Sequence, residues 1–166
     1  MPYVNSSMIG VDLNNQSTTE LFAPGTHVLA TDGSEFVYVH ASTSISANTM
    51  VAIRTGSFTA GMASGGDVIS GAQLAASLVA ISAQAFGWVA VRGIGLTVWC
   101  TESATAPTTI GVFLAAQSSR TGIISVQGSG SGTLAGVGIT EASSSTTTGA
   151  LITINLTWPR TATQVG

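Results

Sequence analysis

Apolar and polar residues along this 166-residue chain mostly alternate with a period of two, in short runs broken by Gly, Pro, Ser and Asn. That period sends successive side chains to opposite faces of a strand. The run HVLAT, the dipeptide Asp32–Gly33 and the run SEFVYVHA predict a β-hairpin, since Gly accepts the positive φ of a tight turn. In the second of these strands Phe36, Tyr38 and His40 share one face, and Val37, Val39 and Ala41 share the other. Both faces are largely apolar, which predicts a strand covered on both sides. Met50 to Arg54 reads as a short strand, and Gly56 to Gly71 as a glycine-rich connection. Ala72 to Ser82 is ambiguous: alternation is weak, and the Leu74, Leu78, Ile81 spacing also fits one face of a helix.

The second half continues in the same way. GWVAVRG and LTVWCT are β runs joined by Gly-Ile-Gly, either a second hairpin or one long strand bent at a bulge. TIGVFLA, GIISVQ and AGVGITEA are further β runs, separated by the flexible GSGSGT and followed by the polar SSSTTT. ALITINLTWP is the cleanest strand. Ile152, Ile154, Leu156 and Trp158 form an apolar face opposite Leu151, Thr153, Asn155 and Thr157, and Pro159 ends the ladder. Elements of this kind predict an all-β fold, a single compact β-sandwich or β-barrel-like domain of about seven to nine short strands. Residues 1–24 read as an extended N-terminal arm, 25–160 as the β-rich body and 161–166 as a C-terminal tail. The arm is polar with spaced apolar anchors, and Tyr3, Ile9, Leu13 and Phe22 are the residues expected to contact a neighbouring subunit.

Composition changes the picture in one respect. Only 7% of residues are charged, there is no lysine, and the cations are Arg54, Arg92, Arg120 and Arg160. An ordinary domain carries roughly a quarter charged residues. A Ser/Thr/Gly/Ala surface loses few ion hydration shells when covered, so it suits extensive subunit contact. A net charge of −3 argues against nucleic acid, whose phosphates need Lys and Arg. Val68 to Val91 is free of charge, but its Ser, Gln and Gly residues and its lack of flanking Lys/Arg clusters read as protein core and interface, not a membrane span. The first residues have neither a basic nor an apolar leader segment, which predicts synthesis in the cytoplasm without a signal peptide.

The residues for chemistry are sparse. Cys100 is the only cysteine and sits in an apolar run, so it reads as inert. His27 and His40 are the only histidines. They lie in the paired strands of the first hairpin, where they could face each other. With Asp32 and Glu35 they form the densest group of potential ligands, although the spacing matches no metal motif. No nucleophile elbow or phosphate loop occurs, and no lysine exists to serve one. No catalytic residue, cofactor or metal is therefore expected. Trp88, Trp99 and Trp158 each sit inside a strand run and are expected in the core or at a subunit contact.

Several segments, APGTHVLATDGSEFVYVHAS, FGWVAVRG, LTVWCTESATA and the terminal LTWP, resemble in order and content the small decoration, or cement, proteins of tailed-bacteriophage heads. The resemblance spans roughly residues 23 to 160, with Phe86 where the pattern has Tyr. It implies a β-rich body on the capsid exterior, bound to the major capsid protein. It also implies homo-oligomers, trimers first and dimers as the alternative, and an arm or loops that bridge capsomers. The family has no catalytic residues to carry over. The rival expectation is a carbohydrate- or receptor-binding β-sandwich module of a phage tail, fibre or bacterial surface protein, which would display exposed aromatics.

Overall fold

The computed structural model describes residues 11–64 and 72–100, and the strand residues 114–116, 124–126, 134–135, 139–140, 150–157 and 161–162. Among them the chain is all-β. The strands are β1 (His27–Leu29), β2 (Glu35–Ala41), β3 (Thr49–Arg54), β4 (Thr59–Met62), β5 (Gln73–Ser77) and β6 (Phe86–Cys100). There follow β7 (Leu114–Ala116), β8 (Ile124–Val126), β9 (Leu134–Ala135), β10 (Ile139–Thr140), β11 (Ala150–Thr157) and β12 (Thr161–Ala162).

Five of these strands close on themselves in the order β2-β4-β3-β5-β6, because β2 also pairs with β6. The β2–β4 seam is parallel, His40 opposite Thr59 and Ala41 opposite Ala60, and the other four pairings are antiparallel. Alternation along each strand then divides the apolar residues into two cores. Val37, Val39, Ala41, Val51, Ile53, Ala60, Ala75, Val89 and Val91 come from all five strands and pack together. Nearly all have no exposed surface, and they fill the barrel's interior. Ile45, Ile81 and Ala85, from the loops, join the same cluster, and a reciprocal Ile45–Ile81 backbone bridge holds the plug. The side chains are small or β-branched, which a narrow lumen requires.

The second core lies on the outer wall. Phe36, Tyr38, Met50, Ala52, Leu74, Ala76, Trp88 and Ala90 point away from the lumen and are covered by Leu96, Val98, Ile154 and Leu156. The cover exists because β6 runs on for 15 residues, leaving the barrel to pair with β11. The long-strand alternative for GWVAVRG–LTVWCT is therefore the one adopted. The strand bends through register shifts opposite Glu35/Phe36 and Ile154/Leu156 and a left-handed Gly95 at φ 73°.

Other expectations resolve as follows. The Asp32–Gly33 hairpin forms, with Gly33 at φ 83° donating to the Ala30 carbonyl and Asp32 Oδ1 accepting the Ser34 N–H at 2.8 Å. Ala72–Ser82 contains strand β5, not a helix, since Leu74 and Ala76 face the outer core while Ala75 faces the lumen. The glycine-rich connection hides β4, whose short sequence TAGM buries only the small Ala60 fully in the lumen cluster, with Met62 packed against that cluster from a partly buried position, and so carries a weak alternation signal. AGVGITEA yields two separate two-residue strands, β9 and β10.

The arm also differs from expectation over its described part. Leu13 is a buried member of the outer core, and Val11 and Phe22 pack against it. Ser17 exchanges two backbone hydrogen bonds with Phe86, and the Gln16 side chain accepts the Ser82 N–H. Residues 11–22 thus close the apolar wall left by Tyr38, Phe86 and Trp88. Burial there outweighs the entropy a free arm would keep.

Leu13→Ala should lower unfolding free energy by about 2–4 kcal/mol, whereas Leu21→Ala, at a 64% exposed position, should change it by less than about 0.5 kcal/mol. Urea titrations with unchanged m-values measure both. Gly25 combines φ 92° with a Phe58 ring 2.4 Å from where a Cβ would stand. Gly25→Ala should therefore cost more than about 1 kcal/mol in the same assay.

Candidate interaction surface

The described surface is best read from the β6–β11 ribbon. Once past the barrel, Leu96 and Val98 of β6 and Ile154 and Leu156 of β11 turn inward and are buried. Their neighbours must then face out. Trp99 stands directly opposite Leu151, and Thr97 opposite Thr153. Trp99 is 41% exposed and Leu151 45% exposed, so a large aromatic and a large aliphatic side chain share an outer face with the uncharged Thr97 and Thr153, while the exposed Arg92, opposite Thr157, is the charge at the barrel end of the ribbon. Asn155 continues that face, and its side-chain oxygen accepts the Gly95 N–H at 3.1 Å, which ties the bend of β6 to β11. Ile94, at the bend, is 70% exposed. A Trp whose neighbours on a sheet face are uncharged matches the composition of protein interfaces, where charged residues are depleted and Trp is enriched.

The three tryptophans therefore divide. Trp88 is buried among aromatics: its ring lies 4.9 Å from Tyr38 and 5.4 Å from Phe22. Phe22 meets Tyr38 edge-on at 5.4 Å, and the Tyr38 hydroxyl accepts the Leu21 N–H at 3.3 Å. Trp99 is the exposed one, and Trp158 lies outside the described residues.

Of the four residues expected to reach a neighbour, Tyr3 and Ile9 lie outside the described residues. Leu13 and Phe22 are spent on the chain's own core, because the aromatic wall they cover would otherwise face water. Trp99 and Leu151 were absent from that set. The signal for them was present: Thr97 and Thr153 mark the outward face of each strand, and Trp99 and Leu151 are each two positions away along it.

The residues with chemical potential are not brought together. His27 Nδ1 lies 2.8 Å from Glu35 Oε1 on the outside of the hairpin. His27 stands opposite Val37, while His40 sits beside Phe86, ring centroids 4.8 Å apart, so the two histidines do not face each other. Asp32 is engaged in its turn. Among the described residues no three His, Cys, Asp or Glu side chains gather as a metal site, and no helix is long and apolar enough to cross a membrane.

Comparison with known proteins adds no relative: no protein-family model, no curated protein and no solved structure matches the chain.

Trp99→Ser should shrink the iodide-quenchable share of tryptophan fluorescence while lowering unfolding free energy by less than about 1 kcal/mol, as expected of a surface side chain. Steady-state quenching before and after denaturation measures this.

Proposed function

We propose that this chain is a non-enzymatic structural protein of a phage virion, bound to the outside of the capsid and stabilising it by bridging neighbouring capsomers. The observation that carries this reading is the outward face of the β6–β11 ribbon, where Trp99 and Leu151 stand exposed side by side among the uncharged Thr97, Thr153 and Asn155. The body supports it, because a lumen packed with Val, Ile and Ala has no room for a substrate. The composition supports it too: with 7% charged residues, little hydration is lost when the surface is covered. The resemblance of APGTHVLATDGSEFVYVHAS, FGWVAVRG and LTWP to decoration proteins supplies the partner, the major capsid protein, and self-association as a trimer or, failing that, a dimer. Contact across a capsomer boundary favours the closed shell by mass action, since each bound copy stabilises only the assembled state. Within the arm, Tyr3 and Ile9 are the residues left to reach a neighbour.

A second reading follows from Trp99 alone. A tryptophan half-exposed on a flat sheet offers its ring face to a sugar, as a carbohydrate- or receptor-binding module of a tail or fibre requires.

Gel densitometry of purified phage particles separates the two. A fixed, high ratio of this protein to the shell subunit is expected. A few copies per particle would favour the tail or fibre module, and absence from particles would discard the virion assignment. On particles stripped of the protein, the Trp99→Ser/Leu151→Ser variant should rebind at least about tenfold more weakly than wild type, the loss typical of a central aromatic anchor. Equal rebinding would remove the ribbon from the contact, and a Tyr3→Ser/Ile9→Ser variant then tests the arm without disturbing Leu13 or Phe22.

A further inference from the structure

A shallow cup opens on the outer wall where β2 leaves β4. It has a volume of about 180 Å³ and is lined by Ser42, Thr43, Ala52, Arg54, Thr59 and Gly61, with Ala60 and Met62 completing it. Its origin is local. Ala52 of β3 and Gly61 of β4 are direct cross-strand partners, so the wall lacks side-chain bulk at that point. The next pair along, Arg54 and Thr59, stands at one rim. Ser42 and Thr43 lean over from the end of β2. A Cβ on Gly61 would come within 3.3 Å of Thr43 Oγ1 and 3.6 Å of Ser42 Oγ, so the missing side chain sets the depth of the cup.

Its chemistry is one cation among hydroxyls. Arg54 is exposed, and among the described residues no carboxylate lies within ion-pair distance of it. Ser42 Oγ donates to the Ala60 carbonyl at 3.0 Å, which leaves its lone pairs free to accept. Thr59 Oγ1 shares a hydrogen bond of 2.8 Å with Ser57 Oγ, which fixes its direction. Ala52 and Gly61 supply a small apolar floor. A guanidinium fork matches a carboxylate in two parallel hydrogen bonds. Hydroxyls at the other rim match hydroxyls, and the floor matches the C–H face of a ring. The space is on the scale of a single small ring and too little for a drug-sized ligand.

We propose that this cup binds an acidic monosaccharide unit, its carboxylate on Arg54 and its ring hydroxyls on Ser42, Thr43 and Thr59. The site is independent of the β6–β11 ribbon. It would give a particle-bound protein a weak, many-copy affinity for acidic surface glycans.

Titration of the full chain with galacturonate, galactose and acetate, followed by amide chemical shifts, tests it. Saturable millimolar binding of galacturonate is expected, with shifts centred on residues 42–43 and 52–62. Galactose and acetate should each bind at least about tenfold more weakly, since each lacks half of the matching groups. Arg54→Gln, at an exposed position, should remove about tenfold or more of the affinity without changing the fold, and Gly61→Val should fill the cup and abolish binding. Equal binding of galactose would show that Arg54 reads no carboxylate, and equal binding of acetate would show a simple anion site. Either result, shifts centred elsewhere, or no saturation by galacturonate, would overturn the proposal.

Discussion

Closure of β2 against both β4 and β6 is the constraint on which the rest of this structure depends. A five-stranded barrel leaves a lumen so narrow that each inward position must be small or β-branched, and the chain supplies Val37, Val39, Val51, Ile53, Ala60, Ala75, Val89 and Val91. With the lumen full, larger apolar residues have to face outward. Phe36, Tyr38, Met50, Leu74 and Trp88 therefore line the outer wall and need a cover of their own. Two parts of the chain provide it: residues 11–22 over Tyr38, Phe86 and Trp88, and the overrun of β6 with β11 elsewhere. The arm's attachment and the ribbon's existence are thus consequences of barrel size. A wider barrel would have taken the aromatics inside and left both segments without a wall to cover.

The same logic explains what could be read from sequence. Strand β2 was legible on both faces because Phe-Val-Tyr-Val-His-Ala is apolar at consecutive positions, and it is the strand buried on both sides. The Asp32–Gly33 turn was legible from its chemistry. β11 was legible because its partition into Ile154 and Leu156 against Leu151 and Thr153 is the partition observed. β4 was not, since it is four residues long, its fully buried inward residue is the small Ala60, and its other inward residue, Met62, is only partly buried within a glycine-rich stretch. β5 was obscured for a related reason. Ala75 and Ala76 face opposite cores, and an Ala-Ala pair carries no period. In a barrel of this diameter the residues that matter most for closure are the ones whose hydrophobic signal is weakest.

The candidate surface was legible only in part, and the arm shows why. Leu13 and Phe22 stand out in the sequence as apolar positions in a polar segment, but a sequence does not say whether such a residue holds its own body or a neighbour's. That is decided by whether the body has an uncovered apolar wall within reach, which depends on the long-range pairing of β2 with β6. Trp99 shows the reverse case. Its run LTVWCT looks like a core strand, yet the bend at Gly95 carries it out of the barrel. There only one face of β6 is needed for cover, and Trp99 is left on the other.

A β-strand that overruns its barrel raises a question of economy: a two-sided ribbon needs only its inner face for the fold. Ordinary surfaces fill the outer face with charge, which keeps edges and flat sheets from adhering to one another. Here Thr97, Trp99, Leu151, Thr153 and Asn155 carry none, in a chain that is charge-poor throughout. Trp99 and Leu151 could be polar at no cost to the barrel, because neither belongs to a buried cluster. Among the described residues no internal packing requires the apolar pair. A surface that is inexpensive to desolvate and carries a large exposed aromatic is suited to being covered, and with the lumen full any such cover lies on the outside of the barrel.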